Sequence, residues 1–156
     1  MDGARTDIKS PKLQQALAYW NEKRGRRSMP ARADLDPMEM IPILPHVILI
    51  DVLRDPLDFR YRLIGTLVED HMSAPYTGRR FSEFEGQREG SRIWTCSERV
   101  ISEKQPVRSD IPYIGPMREF TTIEDIMMPL SSDGEAVDVI FIVVEYVRKH
   151  VGQDVA

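Results

Sequence analysis

Two hydrophobic periods alternate along this chain, one helical and one of strands. Leu13, Ala16, Leu17 and Trp20 fall at i, i+3, i+4 and i+7, a single apolar stripe. Ser10 and Pro11 suit the cap and first turn of that helix, and Gly25 the position beyond its end. Residues 46–53 are nearly all apolar, as in a strand buried on both faces. Phe59, Tyr61 and Leu63 then alternate with Asp58, Arg60 and Arg62, the period of a half-buried strand. The turn at 54–57 joins the two as an antiparallel hairpin. Gly65 lets the chain leave the sheet, and Thr66 with Glu69 reads as a capping box that opens a short helix.

Before the first strand lies a proline-rich approach, residues 26–45, where Asp36-Pro37 predicts a short helix over 38–44, disturbed at Pro42. Met29, Met38 and Met40 there read as adaptable packing, since soft-metal thioether sites need tighter spacing. After the short helix, Pro75 to Gly78 is a turn, and Phe81 and Phe84 pin the next segment. The longest internal helix is predicted over 88–104. Its Ile93, Trp94, Cys96, Val100 and Ile101 fall within an arc of about 160°, with Ser97 inside it. Three strands follow, over 106–113, 119–130 and 136–147, and Asp133-Gly134 marks a hairpin between the last two. Pro106 places the first of these at a strand start or near a sheet edge.

Composition changes little in this picture. The 156 residues, 42% hydrophobic and 29% charged, suit one globular α+β domain. No apolar run reaches the roughly 20 residues that cross a bilayer, and the polar start lacks the core of a secretory signal. One cysteine, Cys96, fits a reducing cytoplasm. Charge is uneven: residues 1–32 carry a balance of +5, which leaves −9 for the remainder of a chain of net −4. Lys23, Arg24, Arg26 and Arg27 could meet phosphates, but cations at a helix end offset its dipole, and no nucleic-acid motif accompanies them. Neither a nucleic-acid nor a membrane partner is expected.

The order of elements over 46–147 resembles the PAS fold, five antiparallel strands with a helical crossover between the second and third. The Gly65 turn, the Thr66 helix, Gly78-Arg79-Arg80-Phe81 and the closing meander carry the likeness. Residues 26–32, Asp34 to Pro37 and Leu17 to Trp20 resemble a bacterial group of small stand-alone PAS-like proteins. On that reading residues 1–45 are an N-terminal helix and approach, 46–147 the PAS-like domain, and 148–156 a tail. The resemblance implies a pocket between sheet and long helix, holding a small ligand or left as packed core. It also implies signalling by partner contact without an output domain.

Familiar cofactors transfer poorly. Haem-binding relatives commonly place a histidine on the long helix, and 88–104 has none. Photoactive flavin domains carry their cysteine in an Asn-Cys-Arg-Phe-Leu-Gln type motif on an earlier helix, whereas Cys96 stands on the long one. Haem and flavin are therefore disfavoured, and no metal site is expected.

Tyr61, His71, Trp94 and Ser97 are the pocket candidates, Trp94 an aromatic wall and Ser97 a small polar contact. Core packing is the plainer role for each, and His71 shows no spacing to His46 or His150 that makes a site. Glu124 and Asp125 are adjacent carboxylates, but adjacent strand residues point to opposite faces. Leu13, Leu17 and Trp20 can bury themselves on the chain's own sheet or in a homodimer or partner interface. The sequence thus predicts a cytoplasmic regulatory module without catalysis. The competing reading is a small hydratase- or thioesterase-like α+β enzyme, which needs convergent polar groups in the cavity.

Overall fold

The computed structural model describes residues 8–109 and 120–148. A helix, α1 (Pro11–Arg24), precedes a hairpin of β1 (Val47–Leu53) and β2 (Asp58–Ile64). A short helix α2 (Thr66–Asp70), the long helix α3 (Arg92–Glu103) and a second hairpin, β3 (Phe120–Leu130) and β4 (Val139–Arg148), follow. The four strands form one antiparallel sheet in the order β2-β1-β4-β3, so the class is α+β. The expected strand at 106–113 is described only to Ser109. There Val107 exchanges two backbone bonds with Met127, at 2.8 and 2.7 Å, across the outer edge of β3. Residues 110–113 lie outside the described residues, and the sheet is described as four strands rather than five.

Register sorts the side chains. Opposed pairs Glu124–Glu145, Ile126–Val143 and Val47–Val143 put these residues on one face, with Leu49 and Asp51. Asp125, Val144, Ile50 and Tyr61 share the other, because Asp125 opposes Val144 and Ile50 opposes Tyr61. β1 is apolar throughout its first four residues since both of its faces are covered.

The α1 stripe is spent on this sheet. Leu13 and Trp20 are fully buried, Leu17 packs on the same core, and the Trp20 indole donates to the Pro129 carbonyl at 2.8 Å. In this structure Leu13 and Trp20 serve the chain's own core, and Leu17 is half-buried against it. The start of α1 answers an otherwise costly arrangement, two glutamates directly opposed on β3 and β4. Glu124 accepts from the Lys9 and Ser10 amides at 3.1 and 2.8 Å and pairs with Arg108 at 3.6 Å. Glu145 accepts from the Ser10 hydroxyl at 3.4 Å and lies 3.7 Å from His46 Nδ1. At the far end of α1 the basic cluster is used locally. Arg27 donates to the Lys23 and Arg24 carbonyls of the last turn, Arg24 donates to the Arg27 carbonyl beyond it, Arg27 pairs with Asp34 at 2.8 Å, and Lys23 with Glu39 at 2.9 Å.

Three local expectations need correcting. The helix over 38–44 is instead two 3₁₀ turns, Pro37–Glu39 and Leu44–His46, because Pro42 and Pro45 withhold the amides a continuous helix needs. Asp36 does cap the first, accepting from Met38 N at 3.0 Å. The cap of α2 is Gly65 rather than Thr66, with the Glu69 amide bonded to the Gly65 carbonyl at 2.9 Å. The long helix begins at Arg92, not 88: Gly90 turns the chain at φ +96° and Ser91 caps, accepting from Trp94 N at 3.3 Å.

The β3–β4 connection is longer than a two-residue hairpin and is organised by Asp133. Its Oδ1 accepts from the Ser131 hydroxyl and from the Glu135 and Ala136 amides at 2.8–3.0 Å. The two amides and the hydroxyl pull the carboxyl down to about 2, from an ordinary 3.8. A depressed folded-state pKa means this contribution is complete above about pH 3.8 and lost as pH falls through 2. The Glu135 and Ala136 amide signals in an NMR titration should therefore move together with a midpoint near pH 2. A midpoint at the ordinary aspartate value would show that the loop does not form this way.

Candidate functional site

The face of the sheet opposite α1 carries an aromatic wall. Alternation along β2 sends Phe59 and Tyr61 to this side. Phe81 arrives from the 3₁₀ turn Phe81–Glu83 and Trp94 from the first turns of α3. Phe59 lies 5.2 Å from Phe81 and makes a T-shaped contact with Trp94 at 5.0 Å, while Tyr61 lies 5.1 Å from Phe81. Each such pair is worth about 0.5–1.5 kcal/mol beyond the area it buries. Asp58 fixes the turn in place: its carboxylate accepts from the Ser82 hydroxyl at 2.5 Å and the Ser82 amide at 3.3 Å.

Two polar atoms enter this apolar setting, and they fare differently. The Tyr61 hydroxyl donates to Gln87 Oε1 at 2.7 Å, and burial pushes the phenol well above its usual range, so it stays a neutral donor. The Trp94 indole N–H is buried and meets no hydrogen-bond acceptor among the described residues. An unmet donor of this kind costs about 1–3 kcal/mol. Trp94→Phe removes the orphan donor together with some volume, and the two effects oppose. Its net cost in urea denaturation is expected to stay below about 1.5 kcal/mol. A larger loss would mean the indole N–H has an acceptor in solution.

Farther along the same face lies a polar group of residues. His71, at the end of α2, stacks on Tyr146 of β4, with ring centroids 3.7 Å apart and planes at 14°. Tyr146 opposes Ile123, so Asp125 is its diagonal neighbour on β3. The buried Asp125 carboxylate accepts from the Ser109 amide at 2.9 Å and from the Ser109 hydroxyl. The Cys96 thiol meets the Ser109 carbonyl at 3.9 Å, which ties α3 to this segment. Glu124, next in sequence to Asp125, holds the Lys9 and Ser10 amides ahead of α1 on the opposite face, as strand alternation requires.

Of the four pocket candidates, the structure brings Tyr61 and Trp94 together around Phe59 and Phe81. His71 stands apart, against Tyr146. Ser97 is fully buried, and its hydroxyl donates to the Ile93 carbonyl of its own helix at 2.8 Å rather than into the wall. Sequence reasoning passed over Tyr146 and Ser109. Tyr146 had a readable signal, the last aromatic of an alternating strand, whereas the Ser109–Asp125 pairing joins residues brought together only by the fold. Among the described residues no group of three His, Cys, Asp or Glu is placed to hold a metal, and no helix is long and apolar enough to cross a membrane. A cavity of about 440 Å³ lies elsewhere, an open hollow between the β1–β2 turn and the outer side of α3, lined by Arg54, Leu57, Glu98 and Ile101 among others.

Comparison with curated proteins finds no match. The model of the PAS domain family matches residues 8–144, which takes in α1, the sheet up to Val144 and both faces described above. With most of its length matched, the chain belongs to the PAS domain family.

Proposed function

We propose that this chain is a non-enzymatic sensory module of bacterial type that acts in the cytoplasm, as a homodimer or with a signalling protein. A small ligand taken up at the aromatic wall adjusts that contact. The observation that carries the reading is the buried Trp94 indole N–H, a donor without an acceptor among the described residues, on a ring packed against Phe59 at the end of the aromatic wall. It favours a mostly apolar molecule with one oxygen acceptor. Family membership supports the regulatory role, since PAS domains are generally sensory. The hydratase- or thioesterase-like alternative draws little from the polar group, because Ser109 gives both its amide and its hydroxyl to Asp125.

Native mass and absorption spectra of freshly purified protein test the reading. The expected result is a dimer or a specific complex without a Soret or flavin band. Added ligand should shift the Trp94 indole NMR signal and leave that of Trp20, already bonded to Pro129, in place. Turnover of ester or thioester substrates would overturn the proposal, as would a monomer with neither partner nor ligand.

A further inference from the structure

The outer face of the sheet is covered unevenly. α1 packs on β3 and β4, and among the described residues Arg62 and Leu63 at the β2 end are exposed. There Asp51 stands opposite Arg60, and its two carboxylate oxygens each take one guanidinium, Arg60 and Arg62, both at 3.1 Å. Arg80 lies across the outer edge of β2, in an isolated antiparallel bridge with Arg60. Like charges directly opposed across strands cost stability, and the fold gains nothing evident from this pair. Among the described residues the Arg80 guanidinium makes no ion pair or hydrogen bond, while neighbouring Arg79 is held by Glu83 at 2.6 Å. Three guanidinium groups thus gather at this end of the sheet, two of them on Asp51, with Glu83 bonded to the Arg80 amide at 2.7 Å, on a chain whose net charge is −4.

A register shift between Leu49 and Ile50 sharpens the patch. Leu49 opposes Leu63 and Ile50 opposes Tyr61, so Arg62 is the extra residue of a bulge. Bulges re-aim side chains, and this one sets Leu63, 41% exposed, beside the arginines. We infer that Arg60, Arg62, Arg80 and Leu63 form a docking surface for an acidic, partly apolar segment of a partner protein. Guanidinium groups match carboxylates in pairs of bonds, and Asp51 has already ordered two of them, which lowers the entropy lost on binding. Nucleic acid is the poorer fit, because Leu63 offers bases no stacking surface. The inference rests on the proposed regulatory role and names its contact surface.

The test uses the full chain and three fluorescent probes in anisotropy titrations at low and moderate salt. These are a short Glu-rich peptide carrying leucines, its Lys-for-Glu counterpart, and a single-stranded oligonucleotide of similar length. The acidic peptide should bind best and weaken as salt rises. Arg80→Glu, at a side chain with no ion pair or hydrogen bond among the described residues, should weaken it about tenfold, and Leu63→Ala should weaken it without changing the salt dependence. Equal binding of the two peptides, tighter binding of the oligonucleotide, or no effect of Arg80→Glu would overturn the surface. Where Arg80→Glu leaves peptide binding unchanged while a dimer or specific complex persists, the regulatory reading stands and only this surface falls.

Discussion

Gly65→Ala is expected to destabilise the protein by about 3 kcal/mol, near the upper end of what a single added methyl does. The reason is steric and local. A Cβ at Gly65 would fall on the carbonyl oxygens of Leu44 and Pro45, backbone atoms that cannot rotate away as a side-chain tip can. The site has little freedom to adjust, since the Gly65 amide donates to Val47 at 2.7 Å and its carbonyl starts α2 by accepting from Glu69. Its φ of −65° is open to any residue, so the requirement is for space and not for a left-handed backbone. Urea denaturation should show a lower midpoint with an unchanged slope. A loss under about 1 kcal/mol would mean the 3₁₀ turn before β1 yields. The same variant should disturb the His71–Tyr146 stack, because α2 delivers His71 to the sheet.

Trp20→Ala should cost about 3–5 kcal/mol, the range for emptying a large aromatic from a core. Trp20 is 1% exposed, and its loss also strips the Pro129 carbonyl of the donor at 2.8 Å. The form of the loss matters as much as its size. A residue of the chain's own core lowers stability equally at all protein concentrations, whereas an interface residue lowers it most when dilute. Melting curves at two widely spaced concentrations should therefore shift in parallel. A concentration-dependent shift would return Trp20, with Leu13 and Leu17, to an intersubunit surface.

Much of this architecture is legible from short-range pattern. The α1 stripe, the doubly buried β1 and the alternation of Phe59 and Tyr61 each reflect one element meeting one face, so periodicity alone locates them. Errors collect where two local signals compete. Thr66 and Gly65 can each open α2, and the close pass of Leu44 and Pro45 selects the glycine. Residues 88–91 have helix-compatible side chains, but the Gly90 turn and the Ser91 cap delay the start of α3.

The candidate site shows the same division. Trp94 and Tyr61 are visible as aromatic residues on apolar faces, yet nothing in the sequence says that the Tyr61 hydroxyl finds Gln87 while the Trp94 indole finds no acceptor among the described residues. Ser97 reads as a free polar contact until the helix geometry returns its hydroxyl to Ile93. By itself, the sequence determined where α1, β1, β2 and the closing hairpin lie and which of their positions are buried, because these follow from the spacing of neighbours along the chain. Tertiary structure alone decided that the α1 stripe closes on its own sheet, that Asp125 meets Ser109, and that Arg80 faces Arg60. Those contacts join residues far apart in the chain, and their hydrogen bonds, burial and charge exist only once the strands have paired.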